Sequence, residues 1–282
     1  MATPPPPVSD SSPIPSMNAL YATLIKQLHD YAKNHQIQRA VLGLSGGLNS
    51  AVALCIAIRA FGPKNVTALV LPELGLTPHD DIDHARALAQ HFGCHSHYQP
   101  INNFLVDFNF VTWDKAETAN ENLKGRIRAT LLRHFAEAQN MMLLGSASKS
   151  DLLIGLGTVD GEFNADLQIL GDVYKTDILE LGRWIGLPDE LLAKDPARHL
   201  KANVIDEDEL SAPWAKIDEI LRALTEGTDP EALIQKGMDT LIVHKTVRLL
   251  QQNEKGLTHI PILAIGELPA ILLKAQEAEA SS

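Results

Sequence analysis

Apolar residues recur at helical spacing in some stretches of the chain and form short continuous runs in others. In the first stretch, residues 18–35, the helical spacing is carried by Leu20, Leu24, Leu28 and Tyr31. The same kind of spacing predicts helices at 18–35, 51–60, 80–92, 116–139, 149–154, 174–187, 213–226, 229–236 and 239–252. Short, largely apolar runs predict strands at 39–44, 65–71 and 141–144, and a further strand is predicted at 95–101.

The alternation of strands and helices predicts an α/β fold with a doubly wound, mostly parallel sheet flanked by helices, and with extra C-terminal helices. Ligands of such sheets lie beyond the carboxyl ends of the strands. Residues 155–172 show no clear period and are predicted to form a mobile loop over that edge, while residues 195–206 look irregular. The predicted domain spans 17–265, between a disordered Pro- and Ser-rich tail at 1–16 and a C-terminal tail at 266–282.

Composition narrows the possible classes of protein. The 282 residues are 45% hydrophobic and 21% charged, which is typical of a globular chain with a sizeable core. A net charge of -11 argues against nucleic-acid binding, because no basic surface would meet the phosphates. Cys55 and Cys94 are too few for a disulfide framework, which favours a reducing, cytoplasmic location. No apolar run reaches the roughly 20 residues of a membrane span, and residues 2–16 lack the pattern of a signal peptide.

A glycine-rich stretch joins the predicted strand at 39–44 to the predicted helix at 51–60. It reads Gly43, Leu44, Ser45, Gly46, Gly47, Leu48, Asn49 and Ser50. Small residues before a helix let backbone N–H groups approach an anion, which the helix dipole also favours. The serine hydroxyls add donors. By itself the pattern fits either a phosphate site or a tight strand–helix connection.

Two basic residues lie two positions apart in the predicted helix at 116–139. Arg126 and Arg128 diverge there by about 200° and cannot share a ligand. One is predicted to meet a ligand or partner, and the other solvent or an acidic neighbour.

Residues 145–151 follow the predicted strand at 141–144. Their hydroxyls and the Asp151 carboxylate could reach a nucleotide bound at 43–50. Alternatively, Ser146 or Ser148 simply caps the next helix.

The irregular stretch at 155–172 contains Asp160, Glu162, Asp166 and Asp172, and carboxylates in a flexible loop are usually solvated. Lys175 follows at the start of a predicted helix, where a cation opposes the helix dipole unless it has an anionic partner. Lys175 is therefore a candidate to neutralise a phosphate.

Taken in order, these stretches resemble the ammonia-dependent NAD synthetases, a family of N-type ATP pyrophosphatases. The family pattern is a Ser-Gly-Gly-x-Asp-Ser loop, an Asn-x-x-x-Arg-x-Arg helix, a Gly-Thr-x-x-x-x-Glu strand end, a Gly-Asp-Gly-x-x-Asp loop and a following Lys. Its counterparts here are 45–50, 122–128, 145–151, 161–166 and Lys175. The resemblance extends from Met17 to Ile262.

The resemblance implies an adenine nucleotide alpha-hydrolase-like fold. It also implies ATP-dependent amidation of deamido-NAD to NAD by ammonia through an adenylate, with release of AMP and pyrophosphate. The implied ATP contacts are Gly43, Leu44, Ser45, Gly46, Gly47, Leu48, Asn49, Ser50, Ser146 and Lys175; the implied substrate contacts are Asn122, Arg126, Asp166 and Lys255. Magnesium is implied at Asn49 and Asp151, and catalytic roles at Lys175 and Asn49.

The resemblance further implies a homodimer. No glutaminase segment is expected, because the stretch before Met17 is too short to form one. Free ammonia, or ammonia from a separate protein, would then supply the nitrogen.

Several positions depart from the family pattern. They are Asn49 for aspartate, Asp151 for glutamate, Ser146 and Ala197 for threonine, Val159 for a substrate-binding lysine, and Glu254 for histidine. A neutral Asn49 removes a charge that helps to hold a hard cation. Two other hypotheses therefore stay open: a nucleotide-binding relative with weakened catalysis and a regulatory or partner role, and an ATP pyrophosphatase that acts on another substrate.

Overall fold

The computed structural model describes residues 16–113, 116–197, 206–253 and 260–265, without the side chain of Glu209. Its helices are α1 (Met17–Asn34), α2 (Leu48–Phe61), α3 (His79–Phe92), α4 (Asn102–Asp107), α5 (Glu117–Gln139), α6 (Lys149–Ile154), α7 (Lys175–Ile185), α8 (Asp189–Leu192), α9 (Asp206–Leu210), α10 (Trp214–Thr225), α11 (Pro230–Gln235) and α12 (Thr240–Asn253). Its strands are β1 (Ala40–Gly43), β2 (Val66–Val70), β3 (His95–Tyr98), β4 (Met142–Gly145) and β5 (Leu167–Gln168). Within these ranges, no helix has the length and apolar character needed to cross a bilayer.

The five strands form one parallel sheet in the order β3-β2-β1-β4-β5. Strand β1 is central, with Ala40 opposite Val66 of β2 and Met142 of β4. The strand order reverses between β1 and β4, so the connections that follow these two strands diverge and open a crevice at the carboxyl edge. Residues 43–50 and 145–151 lie at this crevice.

Alternate residues of the strands face two separate layers of helices. Leu42 packs in the cluster that contains α1 and α2, whereas Val41 packs in the cluster that contains α5. Helix α2 is buried from Ser50 to Ala57, which is the environment expected for a helix that is apolar on all sides. The prediction of a parallel sheet with helices on both faces is confirmed.

The C-terminal helices build a second apolar cluster against α6. Leu152 and Leu153 of α6 pack there with Trp214 and Leu221 of α10. This cluster is continuous with the start of α7 through Tyr174, so it supports the carboxyl edge of the sheet rather than its centre.

The prediction of an irregular loop at 155–172 is wrong for the second half of that stretch. That half contains β5, and its residues Leu167, Ile169 and Leu170 are buried in the main core. A two-residue strand is too short to show a period, which is why the pattern did not predict it. The short helices α4, α8 and α9 were also not predicted, and α2 begins at Leu48 rather than at residue 51.

Candidate active site

The glycine-rich segment forms a loop that ends inside the first turn of α2. Gly46 has φ 82°, a conformation that favours glycine, and Gly47 is the N-cap of α2. No side chain of the N-cap residue satisfies the first amides of α2, so this helix end keeps donors for an anion.

The two serine hydroxyls predicted as ligand donors bond within the loop. Ser50 Oγ donates to the Gly47 carbonyl at 2.9 Å and accepts from Ser45 N at 3.2 Å. Ser45 Oγ lies 3.1 Å from Ser50 Oγ and accepts from Gly47 N at 3.2 Å. In the ligand-free protein these hydroxyls therefore fix the shape of the loop.

Ser148 caps α6, as one of the two sequence hypotheses proposed. Its hydroxyl accepts from Asp151 N at 3.0 Å, while Ser148 N donates to Asp151 Oδ2 at 3.0 Å, which completes a capping box. The cap fixes the Asp151 side chain at the crevice, so the capping role and the site role belong to the same residues.

Three of the sequence motifs meet at Asp151. Asn49 Nδ2 donates to Asp151 Oδ2 at 3.2 Å, and Lys175 Nζ donates to Asp151 Oδ1 at 2.7 Å. The glycine-rich loop, the 145–151 segment and the start of α7 are thus joined through one carboxylate.

Lys175 has two anionic partners and an aromatic neighbour. Its Nζ also donates to Asp206 Oδ2 at 3.1 Å and lies 4.3 Å from the centroid of the Trp214 ring. Its side chain is only 10% exposed. Burial by itself lowers the pKa of Lys175, but attraction to Asp151 and Asp206 outweighs burial and raises the pKa above its usual value. The ammonium is therefore held in its charged form.

Asp218 supports the start of α7 from the neighbouring helix α10. Its carboxylate accepts from Thr176 N at 2.8 Å, from Thr176 Oγ1 at 2.8 Å and from Ser150 Oγ at 2.6 Å. Burial raises the pKa of Asp218, and these hydrogen bonds lower it in part. Because Ser150 Oγ also accepts from Lys175 N at 2.9 Å, Asp218 helps to place Lys175.

The two arginines of α5 point to different partners, as predicted from their spacing. Arg126 Nε donates to Asp160 Oδ2 at 2.7 Å, which lowers the pKa of that exposed carboxylate. Arg128 Nε donates to the Leu71 carbonyl at 3.0 Å, and burial lowers the Arg128 pKa. Of the two, Arg126 is the one that remains partly exposed beside an anion, with 42% of its side chain accessible.

The carboxylates at 155–172 are not simply solvated, which corrects the sequence expectation. Asp160 pairs with Arg126, and Glu162 accepts from Thr158 N at 3.1 Å. The other two carboxylates also form ion pairs, Asp166 with Arg133 and Asp172 with Lys149. Asp166 Oδ2 also accepts from Leu143 N at 2.8 Å, so this expected substrate contact is tied to β4.

The remaining expected positions lie in several separate segments of the chain. Ser146, partly exposed, follows β4, and Asn122 lies in α5. Val159 is 46% exposed next to Asp160, and Ala197 is partly exposed. Lys255 and Glu254 lie outside the described residues.

Sequence reasoning missed three charged residues of the site. Asp206 lies at the end of a stretch that looks irregular in sequence, and Lys194 belongs to none of the sequence motifs. Asp218 did give a signal, because it lies among the apolar residues Ile217 and Leu221 of α10, where a buried carboxylate requires partners.

A hard cation near Asp151 would take only part of its ligands from the protein. In the described part of the chain, no group of three or more His, Cys, Asp or Glu residues could hold a metal by itself. Magnesium normally binds through one or two carboxylates together with substrate phosphates and water. Asp151 supplies one such carboxylate, and both of its oxygens accept hydrogen bonds in this structure, from Asn49 and Ser148 at Oδ2 and from Lys175 at Oδ1.

A family model described as NAD synthase matches residues 20–259. The chain is 31% identical over 236 residues to the NH(3)-dependent NAD(+) synthetase of Methanosarcina mazei, covering 82% of this chain and 92% of that protein. It is 32% identical over 257 residues to the glutamine-dependent NAD(+) synthetase of Aquifex aeolicus, covering 86% of this chain but only 44% of that longer protein.

A solved structure supports the fold assignment. The chain is similar to NMN synthetase from Francisella tularensis with a TM-score of 0.76 and 24% identity, over 86% of this chain and 95% of that one. The predicted adenine nucleotide alpha-hydrolase-like fold is confirmed.

Proposed function

Because this chain belongs to the NAD synthase family, we propose that it is a ligase that converts deamido-NAD to NAD with ATP and ammonia. The observation that carries the proposal is the contact of Asn49 and Lys175 with the single carboxylate of Asp151, which joins three motifs of that family.

The reaction would proceed in two balanced steps. First, a carboxylate oxygen of deamido-NAD bonds to the α-phosphorus of ATP as the bond to the bridging oxygen of pyrophosphate breaks. Ammonia then attacks the carbonyl carbon of the adenylate, AMP leaves with the carboxylate oxygen, and nitrogen loses one proton to form the neutral amide.

Negative charge increases on the pyrophosphate during the first step. The amides at the start of α2 and the ammonium of Lys175 would stabilise that charge, since both are fixed before the nucleotide arrives. Asp218 and Ser150 would act on Lys175 indirectly, by holding the first turn of α7.

The charge around Lys175 favours a metal-bound nucleotide. Lys175 contributes one positive charge, whereas its two ion-pair partners, Asp151 and Asp206, each contribute one negative charge. We propose that Asp151 and Asn49 hold Mg²⁺ that arrives with ATP. The ion would supply Lewis-acid stabilisation of the phosphate oxygens.

We also propose that the deamido-NAD substrate contacts Asn122, Arg126, Asp166 and Lys255. The partly exposed position of Arg126 beside Asp160 is suited to binding an anionic or hydroxylated group. In the same proposal, Ser146 contacts ATP from the end of β4.

A homodimer is the proposed assembly. Large exposed apolar side chains concentrate after the edge strand β3, at Phe104, Val106, Phe108, Phe110 and Trp113. These side chains are close in sequence, and exposed apolar side chains that share one surface are typical of a protein–protein contact. Sedimentation equilibrium of the full chain and of Phe110→Asp tests this assembly, which would be overturned by a monomeric wild-type protein.

The activity test combines deamido-NAD, Mg-ATP and ammonium, with chromatographic detection of NAD and AMP. We expect both products in equal amounts. Nicotinate mononucleotide in place of deamido-NAD tests for another substrate. ATP binding without either product would overturn the ligase proposal and favour the nucleotide-binding relative with a regulatory role. A parallel assay with glutamine in place of ammonium tests whether a separate ammonia-supplying protein is required.

A further inference from the structure

Lys194 contacts the glycine-rich loop although it lies far from the loop in sequence. It follows the short helix α8, and its Nζ donates to the Gly46 carbonyl oxygen at 3.2 Å. The same ammonium pairs with the carboxylate of Asp81 in the first turn of α3. The Lys194 side chain is 22% exposed and that of Asp81 is 7% exposed, so the contact is largely shielded from water.

This contact determines which way one peptide of the loop faces. The carbonyl of Gly46 and the N–H of Gly47 belong to the same planar peptide and point in opposite directions. With the carbonyl directed at Lys194, the N–H of Gly47 is directed at Ser45 Oγ, at 3.2 Å. The N–H thus faces the interior of the loop.

The peptide needs such a contact because glycine lies on both sides of it. Gly46 and Gly47 have no Cβ, so rotation of the peptide between them meets little steric resistance. A rotated peptide would direct the carbonyl oxygen of Gly46 into the loop, where its partial negative charge would repel a phosphate. The ammonium of Lys194 and its partner Asp81 favour the opposite orientation.

The backbone of Asp81 packs directly against Gly46. A Cβ placed on Gly46 would lie 2.0 Å from the Asp81 carbonyl oxygen, so the backbone of α3 is in close contact with the loop. Lys194 therefore joins three segments: the loop after β1, the first turn of α3 and the segment after α8.

We propose that Lys194 is a positioning residue that holds the Gly46–Gly47 peptide in the orientation that accepts a nucleotide phosphate. The inference rests on the proposed function, because it takes residues 43–50 as the ATP-binding loop. Lys194 acts through the peptide and makes no phosphate contact of its own.

The test uses Lys194→Met, which keeps most of the side-chain length but removes the donor and the charge. Lys194→Arg is the conservative variant, and Lys216→Met is the matched control, because Lys216 forms an exposed ion pair with Glu219 away from the loop. Binding is measured by calorimetry with α,β-methylene-ATP, which cannot be cleaved between its α- and β-phosphorus atoms. The amide resonances of Gly46 and Gly47 are followed in nucleotide-free protein labelled with ¹⁵N-glycine.

We expect Lys194→Met to bind the analogue about tenfold more weakly, the change expected from losing one charge-assisted hydrogen bond. Its Gly47 amide resonance should shift or broaden. Lys194→Arg should restore most of the affinity and the wild-type resonance, and Lys216→Met should match the wild type in both measurements.

Unchanged affinity in folded Lys194→Met would overturn the proposal. Weaker binding with an unchanged Gly47 resonance would also overturn it, because that combination indicates direct contact of Lys194 with the phosphate. Should Lys194→Met fail to fold, the double variant Lys194→Met/Asp81→Asn removes both charges of the buried pair together with the donor to Gly46, and an unchanged Gly47 resonance in that variant refutes the positioning role. Neither measurement requires turnover, and the resonance requires no nucleotide, so failure of the ligase proposal is separately detected.

Discussion

The Asn49 side-chain amide donates to the Asp151 carboxylate at 3.2 Å across 102 positions of sequence. This hydrogen bond joins the loop after β1 to the segment after β4. Asparagine is a donor at this point, whereas an aspartate would place a second carboxylate beside Asp151. The residue at position 49 therefore sets how much negative charge lies beside the Lys175–Asp151 ion pair.

Replacing Asn49 with aspartate should make the stability of the protein depend on magnesium. In chelator, Asn49→Asp should lose about 2 kcal/mol of unfolding free energy, because a hydrogen bond is replaced by like-charge repulsion. Magnesium should restore much of that loss. Thermal unfolding with EDTA and with Mg²⁺ measures both effects, with Asn120→Asp at an exposed position of α5 as the control. An Asn49→Asp protein as stable as the wild type in EDTA would contradict this account of the pair.

Lys175→Met should lower kcat by about a hundredfold, since it removes a fixed charge from the developing pyrophosphate. The matched control is Lys149→Met, because Lys149 is a similarly buried lysine paired with the buried carboxylate of Asp172 at 2.8 Å. Both variants should lose stability, as each leaves buried acid without its ammonium. Steady-state kinetics below the unfolding temperature separates the two, and an equal loss of kcat in both would place the effect of Lys175 in folding alone.

Gly46→Ala should destabilise the protein by at least about 2 kcal/mol and abolish nucleotide binding, because the position combines a positive φ with a backbone contact. An added Cβ would lie 2.0 Å from the Asp81 carbonyl oxygen. Gly47 is the matched control, since a Cβ there would meet Ser45 Oγ at an ordinary 3.4 Å and φ is -94°. Chemical denaturation should show Gly47→Ala close to the wild type; similar losses in both variants would contradict the geometry of the loop.

Stability should fall in alkali through Cys55. Burial raises the pKa of the Cys55 thiol from 9.0 to about 12. Between those values the unfolded chain loses a proton that the folded chain keeps, so the free energy of unfolding should decrease as pH rises, by about 1.4 kcal/mol per pH unit well above pH 9. Urea unfolding from pH 8 to 11 should give a shallower decline for Cys55→Ala than for the wild type. Parallel declines would exclude Cys55 as a source of the pH dependence.

The outline of the fold was accessible from the sequence because its main elements have simple periods. Helix α1 carries apolar residues at helical spacing and β2 is a short buried run, so each pattern matches one environment along its whole length. Strand β5 has only two residues, and it is a strand because the tertiary fold places it beside β4. No local pattern could indicate that pairing.

The sequence by itself determined the order of strands and helices, the place of the glycine-rich loop between β1 and α2, and the motifs that identify the family, since these are properties of neighbouring residues. Only the tertiary structure decided which charges meet. Lys175 contacts Asp206, and Gly46 contacts Lys194, although each pair is distant along the chain. Such contacts depend on how separate elements pack at the carboxyl edge of the sheet, and residue spacing alone carries no information about that packing.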